Sequence, residues 1–219
     1  MTEPALSIRN LSVTFLGTNG PVPMVRGLSF DLVPGQLTGL VGESGCGKSV
    51  TAHALMNLLP SRSWSVAADR AMLADQSLAG LDERHWRDIR GASMAMIFQQ
   101  PSRALDPVYP VGAQLARVVR RRDGASRQIA AGRALELLGE SGFDDPAGVS
   151  AAYPHQLSGG MRQLVMIAMA MAAKPAVLIA DEPTTALDVS IQAQIIALLR
   201  RLCKDHDTAV ILITHDMGV

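Results

Sequence analysis

The stretch LTGLVGESGCGKS, residues 37–49, decides the fold of this chain. Residues 37–41 form a short apolar run that predicts a buried strand, and the residues after the stretch predict a helix from Val50 to about Leu59, ended by Pro60. Between them, residues 42–49 match the pattern G-x-x-x-x-G-K-[ST]. Glycines let consecutive backbone N–H groups point at phosphate oxygens, and the helix start adds its dipole. The stretch therefore predicts a phosphate-binding loop in an α/β core.

Two side chains in this loop carry distinct chemistry. Lys48 is expected to reach the β- and γ-phosphates of a nucleotide, and the Ser49 hydroxyl is expected to ligate magnesium. The alternative is a glycine-rich turn that binds nothing. We disfavour it because all the fixed positions of the pattern and both flanking elements are present.

Two adjacent carboxylates follow another apolar run. Residues 176–180 predict a parallel strand that is covered on both faces, and Asp181 and Glu182 come directly after it. In an open α/β sheet, ligands bind at this end of the strands. One carboxylate would help to hold magnesium, and the next, pointing the other way, would poise a water molecule. The alternative is that these two carboxylates cap the following helix. A nearby phosphate loop makes this alternative less favoured.

Gln99 and His215 also stand at predicted strand ends. The strands are expected over residues 93–98 and 209–213. A lone histidine is usually a structural residue, but this strand end places His215 near the phosphate site. The amide oxygen of Gln99 would approach magnesium or the attacking water, although the signal from Gln99 alone is weak.

A second glycine-rich turn, LSGGMRQ at residues 157–163, precedes an apolar helical run over residues 161–173. Ser158 can cap this helix, and Gly159 and Gly160 let a phosphate approach the backbone closely. The turn lacks the lysine that a self-sufficient phosphate site would have. It is therefore interpreted as half of a site that another molecule completes, the alternative being an ordinary capped helix.

Composition describes a folded protein and excludes several classes. Of 219 residues, 48% are hydrophobic and 18% charged, which excludes a disordered chain. Twenty basic and twenty acidic residues cancel, so no strongly basic nucleic-acid surface is indicated. The two cysteines form neither a zinc pattern nor a disulfide framework. We expect no signal peptide, and the longest apolar stretch, residues 164–173, is too short for a bilayer, which needs about twenty residues. A soluble protein, able to bind a membrane protein, is expected.

The remaining patterns predict an α/β fold with a mostly parallel core. Alternating residues at 11–15 and 28–32 predict antiparallel strands joined by a turn at 17–23, and residues 61–80 show no clear period. Helical stretches at 111–122 and 126–141 predict an inserted helical subdomain. We expect one domain over residues 1–219, in which residues 1–100 and 161–219 form an antiparallel β-subdomain and the core, and residues 101–160 form the helical subdomain with the second glycine-rich turn.

Taken together, these motifs resemble the ATP-binding-cassette (ABC) ATPases, a family of phosphate-loop (P-loop) nucleotidases. The resemblance covers nearly the whole chain. The matching motifs are, in order, the phosphate loop, Gln99, the signature 157–163, residues 181–182, residues 186–188 and His215. In finer detail, the sequence resembles the dipeptide/oligopeptide/nickel importer branch at five stretches: 41–45, 96–99, 153–156, 166–170 and 179–189. Cys46 replaces a usual serine and Gln100 a usual acidic residue. Family members continue well beyond His215, so we expect a C-terminally truncated chain.

The resemblance implies a head-to-tail pair of cassettes with two ATP molecules and Mg²⁺ between them. The metal would be held by Ser49, Gln99 and Asp181. Glu182 would polarise the attacking water, which Gln99 would also support. His215 would contact the γ-phosphate. Asp188 would communicate across the dimer, and Phe15 would stack on adenine. The expected nucleotide-binding residues are Gly42, Glu43, Ser44, Gly45, Cys46, Gly47, Lys48, Ser49, Phe15, Ser158, Gly159, Gly160 and Asp188.

The resemblance also implies a function. The chain would be the ATP-hydrolysing subunit that energises import of a peptide or nickel, peripheral on the cytoplasmic face of the inner membrane. Its partners would be a second cassette, two membrane permease subunits that dock near residues 99–109 and, indirectly, an extracytoplasmic solute-binding protein, with no nucleic acid. Two alternatives remain open: a non-transport ABC ATPase acting in DNA repair or on ribosomes, and an inactive truncated nucleotide-binding module.

Overall fold

An antiparallel sheet forms the N-terminal part of the computed structural model, which describes residues 3–100, 104–185 and 187–216. Its long strands β1 and β2 are paired with Leu6 opposite Leu32. Three short strands join the other edge of β1, with β5 and β4 both paired to it and β6 beside β5. The strands are β1 Leu6–Gly17, β2 Gly20–Leu32, β4 Trp64–Ala67, β5 Arg70–Leu73 and β6 Gln76–Ser77.

A parallel sheet of four strands forms the core. Its strand order is β3-β9-β8-β7, and every neighbouring pair runs parallel. Every residue of β7, β8 and β9 is buried, which explains why these strands are continuous apolar runs. Because the strands are parallel, their carboxyl ends meet at one edge of the sheet. The strands are β3 Leu37–Val41, β7 Met94–Ile97, β8 Val177–Asp181 and β9 Ala209–Thr214.

Seven helices of the described chain surround the sheets, and polar residues fix where several of them begin. Side chains of Asp82, Ser126, Asp145, Ser158 and Asp188 each accept a backbone N–H of the first helical turn. A short 3₁₀ turn at Pro154–Gln156 precedes the second glycine-rich turn. The helices are α1 Lys48–Leu55, α2 Glu83–Ile89, α3 Val111–Asp123, α4 Arg127–Glu140, α5 Pro146–Ala151, α6 Gly159–Met171 and α7 Val189–Asp205.

Three apolar clusters hold these elements together. Alternate residues of β8 enter different clusters: Val177 and Ile179 pack with the antiparallel sheet, α1 and α2, whereas Leu178 and Ala180 pack with α6 and α7. A third cluster joins α3, α4 and α5 to α6. Helix α6 thus contributes to both the second and the third cluster. Among the described residues, no helix is long and apolar enough to span a membrane.

The structure confirms the predicted α/β class with a parallel core, an antiparallel N-terminal sheet and a separate group of helices. Several local predictions were wrong. Helix α1 ends at Leu55 rather than Leu59, because Asn57 adopts a left-handed backbone conformation with φ 50°. The turn between β1 and β2 spans residues 18–19 rather than 17–23. Strands β4–β6 and helix α5 were not predicted. The subdomain boundaries at 1–100, 101–160 and 161–219 stay a prediction.

Candidate functional site

The loop between β3 and α1 has the backbone that its glycines predict. Gly45 and Gly47 adopt φ of 82° and 95°, a region that side chains disfavour. Gly47 also has no room for a side chain, because an added Cβ would lie 2.6 Å from the carbonyl oxygen of Met24 in β2. The phosphate loop therefore packs directly against the antiparallel sheet, and α1 begins at Lys48 at the end of the loop.

Lys48 is held inside this loop. Its side chain is almost fully buried, with 6% exposure, and its ammonium donates to the carbonyl oxygens of Gly42 and Glu43 at 2.7 Å each. Nζ also lies 3.8 Å from Cys46 Sγ. The first residue of α1 thus places a fixed positive charge at the helix start, where the backbone dipole also favours anions.

Ser49 and Asp181 form the second part of the site. The Ser49 hydroxyl donates to Asp181 Oδ1 at 3.0 Å. Burial raises the pKa of Asp181, although the Ser49 hydrogen bond and the nearby charges of His53 and Lys48 oppose this rise. A hydroxyl and a buried carboxylate are oxygen ligands of the kind that Mg²⁺ prefers. With Gln99, they line a cleft of about 440 Å³.

The donor set fits a magnesium ion held jointly with phosphate. In the residues described, no group of three His, Cys, Asp or Glu side chains could hold a metal on its own. Mg²⁺ usually binds through one or two carboxylates, with substrate phosphates and water completing its shell. Ser49 and Asp181 would supply that part of the shell beside the phosphate loop.

Glu182 is the centre of a polar network. Its Oε2 accepts hydrogen bonds from Gln99 Nε2 and Thr185 Oγ1, both at 2.9 Å, and its Oε1 lies 3.0 Å from His215 Nδ1. Burial would raise the pKa of Glu182, but the hydrogen bonds from His215 and Thr185 outweigh it and hold the pKa below its usual value. Glu182 has φ 48°, and its N–H donates to the Ile213 carbonyl of β9. The carboxylate is therefore ionised and fixed in orientation at neutral pH.

The predicted catalytic residues meet at one cleft of about 450 Å³. Gln99, Glu182 and His215 follow β7, β8 and β9, whose carboxyl ends lie side by side. They converge on the phosphate loop, as the topology of parallel strands predicts. Together with Met24, Ser44, Gly45, Gly47, Lys48, Ser49, Val50 and Thr185, they line this cleft.

The second glycine-rich turn lies against α7. Ser158 caps α6 by accepting the N–H of Met161 at 3.2 Å, as predicted. A Cβ on Gly160 would lie 3.0 Å from Ile191 Cγ2, and one on Gly159 would lie 3.6 Å from Leu187 Cδ2. In the described part of the chain, Ser158, Gly159 and Gly160 line neither of the two clefts. Among the described residues, neither of these two clefts brings the turn and the phosphate loop together.

Two predicted residues have local partners of their own. Asp188 caps α7, accepting the N–H of Ile191 at 3.0 Å and the hydroxyl of Ser190 at 2.6 Å. The Phe15 ring packs on Trp64 with centroids 5.0 Å apart and lines neither cleft. Their roles at the dimer and at adenine stay predictions. Ala186, the first residue of the 186–188 motif, lies outside the described residues.

His53 and Thr185 were missed by sequence reasoning. His53 Nδ1 lies 2.7 Å from the Ser49 carbonyl oxygen, and its ring lies beside Phe98 in the cleft that Asp181 lines. The four-residue spacing from Ser49 to His53 on α1 was an available signal. Thr185 depends on the tight turn after Glu182, for which the sequence carried no comparable signal.

Known proteins share nearly half of their residues with this chain where they match it. The dipeptide transport ATP-binding protein DppD of Bacillus subtilis is 48% identical over 217 residues, covering 99% of this chain and 65% of that protein. The glutathione import ATP-binding protein GsiA of Escherichia coli K12 is 48% identical over 219 residues, covering 98% of this chain and 35% of that protein.

A solved structure shares the fold. It is the dimeric post-hydrolysis state of the ATP-binding cassette MJ0796 bound to ADP and Pi, with a TM-score of 0.83 and 25% identity, covering 97% of this chain and 89% of that one. The family model described as ABC transporter matches residues 25–185. With most of its length matched by that model and two relatives 48% identical along nearly all of it, this chain belongs to the ABC transporter family.

Proposed function

We propose that this chain binds and hydrolyses ATP and thereby energises import of a solute through a membrane permease. The observation that carries the proposal is the cleft at which Gln99, Glu182 and His215 meet the phosphate loop. A positive charge, a helix start and an ionised carboxylate face one another there. That combination suits an anionic phosphate group and an attacking water molecule.

The residues divide the proposed reaction among them. Backbone N–H groups of Gly45 and Gly47 and the ammonium of Lys48 bind the phosphates, while Ser49 and Asp181 hold Mg²⁺. Bound Mg²⁺ neutralises charge that develops on the phosphate oxygens. Catalysis of phosphoryl transfer rests mainly on such positioning and charge stabilisation.

Glu182 orients and polarises the water in this proposal. Its Oε2 is held by Gln99 and Thr185, so the carboxylate cannot turn away from the cleft. His215, bonded to Oε1, is 53% exposed at its side chain and is free to contact the γ-phosphate. The pKa of Glu182, held below its usual value, keeps the carboxylate ionised over the neutral range.

A second copy or a sister cassette would complete the site. The turn at Ser158, Gly159 and Gly160 lines neither cleft of its own chain. We propose that it closes over the γ-phosphate held by a partner, with Asp188 at the same interface. The similar cassette MJ0796 is described as dimeric, which supports this arrangement.

A peptide is the proposed solute class, with nickel as the second candidate that the sequence raised. Dipeptide transport and glutathione import are the functions in the names of the two relatives. The chain would lie on the cytoplasmic face of the inner membrane, bound to two permease subunits fed by an extracytoplasmic binding protein. Because both relatives are named as transport proteins, a role in DNA repair or on ribosomes is not favoured.

Two substitutions test the proposed chemistry. Glu182→Gln removes the charge but keeps the shape, so hydrolysis should fall by about 10²–10⁴-fold while ATP binding persists. Lys48→Ala should weaken ATP binding itself. Asp88→Asn, an exposed change on α2, is the control and should leave both unchanged. Phosphate release and binding of a fluorescent ATP analogue are the readouts.

The outcomes separate the alternatives. Undiminished hydrolysis by Glu182→Gln would remove that residue from the mechanism, and failure of the parent chain to bind ATP would favour an inactive module. Affinity purification of the tagged protein from its native membranes tests the transport role. Recovery of permease subunits supports import, whereas recovery of ribosomes or DNA would overturn it.

A further inference from the structure

The connection between α3 and α4 concentrates positive charge. From Arg117 to Arg127 the sequence has five arginines and one aspartate, a net charge of +4, whereas the whole chain has a net charge of zero. The other residues therefore carry a net charge of −4. This part of the surface differs in sign from the remainder of the molecule.

Three of these arginines have no carboxylate partner. Arg120, Arg121 and Arg127 are exposed, and in the described part of the chain none lies within 4.0 Å of an acidic group. By contrast, Arg122 lies 3.4 Å from Asp123, and the Arg117 guanidinium stacks 5.1 Å from the Tyr109 ring centroid. The charge of the first three is thus available to a partner.

Helix stability accounts for only part of this cluster. The helix dipole favours cations in the last turn of α3, where Arg120 and Arg121 lie. Arg127, however, is the first residue of α4, where the same dipole disfavours a cation. A local structural reason therefore does not cover Arg127.

Exposed apolar side chains lie on the same helix as Arg127. Ile129, in the first turn of α4, is 65% exposed, and Leu135 is 38% exposed. Gln128 and Gly132, also exposed on α4, carry no charge, and the one exposed carboxylate beside Leu135, Glu136, is paired with Arg133 at 2.8 Å. The opposite face of α4 is buried through Ala130, Ala134, Leu137 and Leu138. Helix α4 thus exposes two large apolar side chains on its solvent side in addition to its buried apolar face, more than a surface helix needs for its core packing.

We propose that this tip surface, formed by Arg120, Arg121, Arg127, Ile129 and Leu135, docks on the headgroups of an anionic phospholipid bilayer. Arginines attract acidic lipids, and an apolar side chain between them enters the boundary between headgroups and acyl chains. A nucleic acid would match the arginines but not Ile129 and Leu135. The contact is separate from the nucleotide cleft and goes beyond the proposed ATPase function.

Vesicle flotation of the intact chain tests the proposal. Binding is expected to phosphatidylcholine vesicles that contain phosphatidylglycerol, and not to phosphatidylcholine alone, with loss of binding as salt increases. In the triple variant Arg120→Gln, Arg121→Gln, Arg127→Gln, partition should fall about 100-fold, since each arginine near an acidic surface is worth roughly fivefold. Ile129→Asp should also weaken vesicle binding, whereas Ile129→Leu, which keeps an apolar side chain, should bind vesicles as the parent does.

A matched variant controls for total charge. Arg62→Gln, Arg84→Gln and Arg87→Gln remove three exposed arginines elsewhere and should leave vesicle binding unchanged. Circular dichroism and ATP hydrolysis equal to those of the parent would show that the tip variants fold. Absence of parent binding, or equal losses in both triple variants, would overturn the proposal. So would binding to duplex DNA that survives Ile129→Asp, because it would identify a general polyanion site.

Discussion

The hydroxyl of Ser49 donates a 3.0 Å hydrogen bond to Asp181 Oδ1, although the two residues are 132 positions apart in the sequence. The contact joins the first turn of α1 to the end of β8. It also links an exposed phosphate loop to one of the most buried carboxylates of the chain, since Asp181 is only 3% exposed. The two residues are therefore coupled in ionisation and in stability, and in the proposed binding of Mg²⁺.

Removing the hydroxyl should raise the magnesium requirement. Ser49→Ala deletes one oxygen ligand and leaves Asp181 without its donor, so we expect the Mg²⁺ concentration for half-maximal ATP hydrolysis to rise about 10–100-fold. A magnesium titration of phosphate release measures this effect. Ser61→Ala, in the turn after α1, is the control, and an unchanged titration for Ser49→Ala would contradict the assignment.

Neutralising the two adjacent carboxylates should change stability in opposite directions. The pKa of Asp181 lies above the ordinary 3.8. Ionisation of Asp181 therefore destabilises the folded state, and this cost appears as the pH rises above 3.8. The pKa of Glu182 lies below the ordinary 4.5, so its ionisation contributes stability that is present above 4.5 and is lost as pH falls through the lower folded-state value. In magnesium-free buffer at neutral pH, Asp181→Asn should melt higher than the parent and Glu182→Gln lower.

Thermal melts over a pH series check this pair. Each variant serves as the other's control, because both replace one carboxylate by its amide. Both differences should shrink in acid, when the parent carboxylates are protonated. A lower melting temperature for Asp181→Asn at neutral pH would show that burial does not dominate the ionisation of Asp181.

The two glycines of the second turn should separate folding from function. Gly160→Ala would place its Cβ 3.0 Å from Ile191 Cγ2, tighter than ordinary contact, so its free energy of unfolding should be about 1 kcal/mol below that of Gly159→Ala. Gly159→Ala has ordinary contact distances, and alanine favours a helix more than glycine does, so its stability should equal or exceed that of the parent. Both variants should hydrolyse ATP slowly, because a side chain would keep the partner's phosphate from the backbone. Parent-like hydrolysis by a folded Gly159→Ala variant would argue against that closure.

A hydrogen bond between α4 and α7 predicts a local stability effect. Arg201 Nη2 donates at 2.6 Å to the carbonyl oxygen of Glu140, in the last turn of α4. Arg201→Ala should lower the free energy of unfolding by about 1 kcal/mol. Arg200→Ala removes the neighbouring exposed arginine and should have little effect. Urea denaturation of both variants measures the difference, and equal losses would assign the effect to charge alone.

The two cysteines should react differently with a maleimide. Cys46 is exposed in the phosphate loop, whereas Cys203 is buried and burial raises the pKa of its thiol. One equivalent of label should react with Cys46 and block ATP binding. Prior addition of MgATP should slow this labelling. Mass spectrometry locates the label. Cys46→Ser should resist inactivation, and inactivation of that variant would locate the sensitive thiol elsewhere.

Elements buried on both faces were the most predictable. The strand over residues 176–180 was predicted within one residue of β8, because a covered parallel strand must be a continuous apolar run. Strands β4 and β6 were missed because nearly all of their residues are exposed and show no period. Just after α1, where Asn57 turns left-handed, Arg90 donates to the carbonyls of Met56 and Asn57 from 34 and 33 residues away. No local pattern reveals such a contact.

The site was more predictable than the fold around it, for a related reason. A phosphate loop and strand-end carboxylates must occupy set positions, so their spacing alone brings Lys48, Asp181 and Glu182 together. The supporting side chains have no such requirement. His53 and Thr185 reach the site through a helix face and a tight turn, and many residue types can occupy those places.

Helix α6 packs into two clusters at once, through Ile167 and Met171 on one side and Val165 and Ala168 on the other. From 161 to 173 no residue is exposed. After its first residue, Gly159, helix α6 therefore has only partly exposed positions and no fully exposed face on which substitutions accumulate freely. In a saturation library, α6 should tolerate fewer residue types per position than α3 or α4, and its evolution should proceed mainly by exchanges among apolar side chains of similar volume.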